Sequence, residues 1–373
     1  MRVIILFSIL AIMAGFPRLS PAVAGEEAGV SSAAPIRTIT GEWADPERKR
    51  TIPFKAYIPS SGAGPFPVVI VSHGLGGTRD GISYLGKAFA AHGFISVHIQ
   101  HPGSDDTLWR GNAHPFEAMR GATTNLEVIM NRPKDVSFVL NEIARRKGAG
   151  EEPWLNADMD RVAVAGHSYG AYTALASAGR RLVGLGNAEV NLSDARIKAC
   201  IALSPPAQQR ETTNGSYSKF AVPCLHMTGT QDGISPVTGQ PENRRIPFET
   251  IQGVDEYLLT LAGGDHGVFN GSALDNNAHD LAMVRRSASR NRAHDAKDEA
   301  LIVDSSIKFL DAYLKQDAKA KSFLQDGGFA AELGVDGTWE IKRAAEKKAA
   351  TPASAATPVA GMTLLPLRNR LNR

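Results

Sequence analysis

An α/β protein, with a mostly parallel central sheet and helices on both faces, is the fold class this sequence predicts. Two observations carry it. Short, mostly apolar runs recur along the chain, FPVVIVS at Phe66–Ser72, RVAVAG at 161–166 and IKACIAL at Ile197–Leu203, and such runs mark strands covered on both faces. Stretches with helical spacing lie between them, and strands that alternate with helices build parallel sheets. No internal repeat is visible in the 373 residues, a length that suits one large domain or two small ones.

Taken in order, residues 51–59 (TIPFKAYIP) alternate as an outer strand should, and 66–72 is the first fully covered strand. Residues 82–92 have helical spacing and stop at Gly93, and 94–100 form the next strand. Val136, Val139, Leu140 and Ile143 share one face of an amphipathic helix over 134–146. A strand at 161–166 leads into a helix of small residues at Tyr169–Ala178, and strands follow at 197–203, 221–227 and 257–261. A long helix over 298–314 closes the domain. Segments 102–131, 205–218 and 267–297 lie between elements and are expected to surround a site rather than fill the core.

Charge and targeting signals bound the function. The chain has 41 Lys and Arg against 38 Asp and Glu, a net +3. Two basic residues fall in 1–24 and seven in 342–373, where Glu346 is the one acid, so 32 basic and 37 acidic residues remain in the body. That body offers no electrostatic case for nucleic acid. Residues 1–24 combine Arg2, an apolar run at 3–16 and Ala22-Val23-Ala24, the pattern of a secretory signal peptide cut after Ala24. The run is short for a bilayer span of ~20 residues, and no Cys follows it to take a lipid. The expected organisation is a signal peptide (1–24), a linker (25–35), one domain (36–341) and a disordered Ala/Pro-rich basic tail (342–373), in a secreted or periplasmic protein. The membrane enters only through the signal peptide. Cys200 and Cys224 fall in apolar strands and are expected to be buried thiols, with a bridge as the alternative.

The sharpest chemical signal is Gly166-His167-Ser168-Tyr169-Gly170, which follows a buried strand and opens a helix. A G-x-S-x-G pentapeptide in that setting is a nucleophile elbow: the chain turns so sharply that neighbouring positions tolerate only glycine, and Ser168 is held at the sheet's carboxyl edge. A serine hydroxyl needs a base, and the base needs an orienting carboxylate. In chain order these are Asp232, in the loop after 221–227, and His266, flanked by glycines after 257–261. Asp265 is the rival acid, poorly placed because it adjoins His266. Two backbone amides are expected to hold the oxyanion, those of Tyr169 and of Leu75 in the glycine-rich loop 72–77. His101, at a strand end, and Trp109 and Phe116 are candidates for the substrate pocket. His226 lies within a strand and is expected to be a core histidine, and the ten histidines have no metal-binding spacing, so neither metal nor cofactor is expected.

These residues together resemble the α/β-hydrolase superfamily, and within it the branch of dienelactone-hydrolase-like proteins, plasma-type platelet-activating-factor acetylhydrolases and polyester-cleaving cutinases. Val71-Ser72-His73-Gly74-Leu75-Gly76-Gly77 is similar to the acetylhydrolase oxyanion loop, which implies that Leu75 donates its amide. Val222-Pro223-Cys224-Leu225 through Asp232 to Pro236-Val237 resembles the cutinase acid loop. The acetylhydrolases carry their acid one strand earlier, where this chain has Ser204-Pro205-Pro206 and no carboxylate. Dienelactone hydrolases use a cysteine where this chain has Ser168. The resemblance covers roughly residues 36–330 and implies an ester hydrolase acting through Ser168, Asp232 and His266 on a small-molecule or polymeric ester. A peptidase or amidase on the same fold, and a secreted binding protein that retains the fold without catalysis, are the alternatives. Oligomeric state is left open.

Overall fold

Along the strand Phe66–Ser72 (β3), Val68 and Ile70 face one apolar core while Val69 and Val71 face another, and all four are buried. The alternation is that of a strand covered on both sides, where each such side chain contributes about 1.5–3 kcal/mol. The computed structural model describes residues 35–183, 188–233, 240–271 and 292–344. The expected signal peptide and most of the linker and tail lie outside them.

Before β3 come β1 (Ile36–Asp45) and β2 (Arg50–Pro59), and after it α1 (Ser83–Ala91), β4 (Ile95–Ile99), α2 (Pro115–Thr124) and α3 (Leu126–Gly148). The chain continues through β5 (Ala157–His167), α4 (Tyr169–Ala178), a two-residue pair β6 (Leu182–Val183) and β7 (Glu189–Val190), β8 (Ile197–Leu203) and β9 (Cys224–Gln231). It ends with α5 (Ile246–Thr250), β10 (Glu256–Asp265), α6 (Arg292–Leu314), α7 (Ala318–Gln325), α8 (Gly328–Leu333) and β11 (Gly337–Lys342). Among the described residues the main sheet has nine strands in the order β1-β2-β4-β3-β5-β8-β9-β10-β11. The run from β4 to β10 is parallel, and β1, β2 and β11 are antiparallel additions at the edges. Helices α3 and α4 cover one face; α1, α6, α7 and α8 cover the other. This is the α/β-hydrolase fold. Its parallel strands bring the carboxyl ends of β3, β5, β8, β9 and β10 to one rim, the edge where sites form in such sheets.

Three details depart from the sequence reading. Helix α3 starts at Leu126, ahead of the expected 134, and holds Pro133 inside it. A proline there leaves the carbonyl four residues back without a donor. That carbonyl belongs to Ile129 and accepts from the Tyr172 hydroxyl at 3.3 Å, while the Asn125 side chain caps the new start through the Glu127 amide at 2.9 Å. The domain does not close with α6: α7, α8 and the edge strand β11 follow, anchored by Trp339, which stacks on Tyr257 and donates Nε1–H to Leu324 O at 2.9 Å. Lys342, expected to begin the disordered tail, ends β11 and donates to the Phe248 and Ile251 carbonyls. Cys200 and Cys224 are paired in register across β8 and β9, both free and buried.

Candidate active site

Ser168 joins β5 to α4 with φ 55° and ψ −118°, a conformation that costs an L residue about 1–3 kcal/mol. The turn is so tight that a Cβ on Gly166 would lie 2.2 Å from Gly170 O, and one on Gly170 would lie 1.9 Å from Ser72 O. Glycine at both positions is therefore a steric requirement. The Ser168 amide donates to Leu203 O at 2.9 Å, which ties the elbow to the end of β8.

The next residue, Ser204, begins a second polar cluster. His266 donates Nδ1–H to Asp232 Oδ1 at 2.8 Å, and Ser204 Oγ lies 2.7 Å from the same nitrogen while donating to Asp232 Oδ1 at 2.8 Å. Thr228 Oγ1 donates to the other Asp232 oxygen at 2.9 Å, and the Arg244 guanidinium stands 3.7 Å from the carboxylate. Asp232 is fully buried. Burial pushes its carboxyl up, but the His266 hydrogen bond, the charges of His266 and Arg244 and the Ser204 hydroxyl outweigh it and hold the group below its ordinary range. Asp265, the rival, spends Oδ1 on the Gly267 and Val268 amides at 3.0 and 3.1 Å. With Nδ1 committed to Asp232, His266 has Nε2 left for a reacting group. Its ring packs 4.6 Å from that of His167, the neighbour of Ser168 in the elbow. Sequence reasoning missed Ser204, Thr228 and Arg244; a hydroxyl at the carboxyl end of a predicted strand was the available signal for Ser204.

On the opposite side of the elbow stands the loop after β3. A Cβ on Gly74 would lie 3.6 Å from Ser168 Cβ, so this loop abuts Ser168. His73 donates Nδ1–H to Gly74 O at 2.6 Å, the carbonyl of the peptide that carries the Leu75 amide, and Gly77 N donates to the same oxygen at 3.1 Å. The Gly76 amide is anchored to Ser104 O at 2.8 Å. Leu75 packs against Tyr169 and Tyr172, and Tyr169 opens α4, where the first amides have no partner within the helix.

The expected pocket residues separate. Trp109 is half-buried and donates Nε1–H to Gly76 O at 2.7 Å, so it adjoins the loop. His101 is a correction: it is 0% exposed and both ring nitrogens are engaged, by Asp135 Oδ2 at 3.0 Å and Ser72 Oγ at 2.9 Å, so it faces the interior and lines no pocket. Phe116 is 67% exposed in the first turn of α2, one turn ahead of the buried Met119. His226 is a core histidine, bonded through Nε2 to Glu256 at 2.7 Å.

Burial makes four imidazoles hard to protonate. His98 and His101 are each lowered to about 4, and His73 and His167 fall well below 6.5. The unfolded chain binds protons at these groups as pH drops through about 6.5, and the native protein does not. Their contribution is therefore complete above pH 6.5 and is lost progressively toward pH 4, about 3 kcal/mol each for His98 and His101. Urea midpoints measured at pH 7, 6, 5 and 4.5 should fall steadily; a flat profile over that range would contradict these burials.

Comparison with known proteins points the same way as the geometry. The family model of platelet-activating factor acetylhydrolase, isoform II, matches residues 47–108, from just before β2 through the loop behind β4. Over 203 residues the chain is 26% identical to Cutinase 1 of Thermobifida cellulosilytica, covering 54% of this chain and 60% of that one. It is 26% identical to the Cutinase of Thermobifida fusca (strain YX), covering 54% and 52%, and 27% identical to Cutinase est2 of Thermobifida alba, covering 54% and 53%. The matched stretch thus spans between half and three fifths of these curated relatives.

Proposed function

We propose that this chain, which has the α/β-hydrolase fold and resembles its acetylhydrolase-like and cutinase-like branch, hydrolyses carboxylic esters through a covalent acyl-enzyme on Ser168. The observation that carries the reading is the buried Asp232–His266 pair at 2.8 Å beside a strained serine elbow. His266 Nε2 takes the Ser168 proton as Oγ attacks the ester carbonyl, and the Leu75 and Tyr169 amides hold the resulting oxyanion. The imidazolium then returns that proton to the departing alcohol oxygen. Water enters and attacks the acyl carbonyl as His266 takes one of its protons, and the second tetrahedral intermediate collapses to free acid as the imidazolium returns that proton to Ser168 Oγ. Asp232 fixes the imidazole with Nε2 toward the elbow and stabilises its charged form. Trp109, bonded to the oxyanion loop, supplies apolar surface to the bound ester.

Export is part of the reading, supported by the apolar run and the Ala22-Val23-Ala24 site. The test is turnover of p-nitrophenyl acetate and butyrate, and of the matching p-nitroanilides, by protein recovered after export with Gly25 as its first residue. Ester cleavage with much slower anilide cleavage is expected. Anilides cleaved as fast as esters would favour an amidase, and no turnover of either would overturn the proposal.

A further inference from the structure

Arg132, on α3, is a cation with 1% exposure, and burying a charge is expensive unless its surroundings use it. Its guanidinium donates Nε–H to Thr173 Oγ1 at 2.7 Å, Nη1–H to Ser104 Oγ at 2.7 Å and Nη2–H to Ser72 Oγ at 3.0 Å, and it also donates to the His73 carbonyl. It lies 4.6 Å over the Tyr169 ring. All four acceptors are neutral oxygens. They come from the end of β3, the loop after β4 and the first turns of α4.

Two of those segments carry the amides that the proposed function assigns to the oxyanion, Leu75 beyond Ser72-His73 and Tyr169 at the head of α4. We propose that Arg132 is the positioning residue of the oxyanion hole: one rigid fork fixes the spacing of the two amide donors from behind. A guanidinium suits this task because its donors diverge in one plane, whereas an ammonium on a flexible stem reaches them less well. Its charge stands behind the place where negative charge develops, in a dry interior where such a charge acts strongly. Burial lowers Arg132 to about 10, so it stays protonated at neutral pH.

The fork is itself held by a second carboxylate–imidazole–hydroxyl relay. Asp135, paired with Arg48 at 2.6 Å and Arg50 at 3.0 Å, accepts His101 Nδ1–H at 3.0 Å. His101 Nε2 accepts the Ser72 hydroxyl proton at 2.9 Å, which turns the Ser72 lone pairs toward Arg132. The residue types match those proposed for catalysis, but Ser72 is fully buried and its oxygen already accepts from Arg132. This relay orients a cation and attacks nothing.

The inference rests on the ester-hydrolase reading, and the experiment separates the two. Arg132→Met and Arg132→Lys are compared with wild type by kcat and KM for p-nitrophenyl butyrate, normalised to active-site titre. Affinity for an alkyl trifluoromethyl ketone, which forms a tetrahedral adduct on a serine, is measured alongside. Arg132→Met is expected to lose ~10²-fold in kcat and a similar factor in ketone affinity, with KM within about threefold, and Arg132→Lys to recover about tenfold of each. Should both variants fail to fold, Thr173→Val and Ser104→Ala, each removing one acceptor, are expected to weaken ketone binding about three- to tenfold. Ketone affinity equal to wild type in folded variants would overturn the role of Arg132. Failure of the wild type itself to form the adduct at Ser168 would overturn the parent reading instead.

Discussion

Ser168→Ala is expected to lower kcat/KM for p-nitrophenyl butyrate by ~10⁴-fold or more while leaving the thermal midpoint at or above that of the wild type. Alanine keeps the Cβ and therefore the backbone constraint of the elbow at φ 55°. It removes only the oxygen, so a loss of activity without a loss of stability isolates the hydroxyl's chemistry. His266→Ala should cost a comparable factor, because an unassisted serine hydroxyl is a poor nucleophile at neutral pH. The double variant should be little worse than either single one, since groups that act as a unit are not additive. Residual activity within tenfold of wild type in Ser168→Ala, or losses that multiply in the double variant, would contradict a shared relay.

Asp232→Asn is the second large effect, expected to lower kcat by ~10⁴-fold at neutral pH with KM little changed. In the native protein the carboxylate accepts from His266 Nδ1, Ser204 Oγ and Thr228 Oγ1. An asparagine NH2 turned toward Nδ1 would favour the imidazole tautomer that carries its proton on Nε2, which cannot take one from Ser168. The contrast is Asp265→Asn. That carboxylate caps two backbone amides through Oδ1, a task an amide oxygen performs nearly as well, so kcat should stay within about threefold. A large loss at Asp265 with a small one at Asp232 would exchange their roles.

The central sheet was legible because strands covered on both faces must be almost wholly apolar, as in 66–72 and, apart from the exposed Lys198, in 197–203. The elbow was legible because its constraints are local: two glycines and a serine between a strand and a helix suffice. Asp232 and His266 could be located at strand ends from order along the chain alone. What the sequence hid depends on contacts between distant segments. Nothing near Arg132 marks it as buried, since its four acceptors come from Ser72, His73, Ser104 and Thr173. His101 stands at a strand end like a site residue, and only the position of Asp135, 34 residues on, turns it inward. Helix α3 runs back past Pro133 to Leu126 because the Tyr172 hydroxyl that serves the freed carbonyl comes from another helix. Strand β11 has no fully buried position, so its pattern was too weak to be read as a strand.

The most direct test of the account is to treat the purified protein with a fluorophosphonate at neutral pH and find the modified residue by peptide mass spectrometry. A single adduct on Ser168, absent from Ser168→Ala and formed at least ~10²-fold more slowly by His266→Ala, is the predicted result. An adduct on another residue, no adduct at all, or equal rates with and without the imidazole would contradict it.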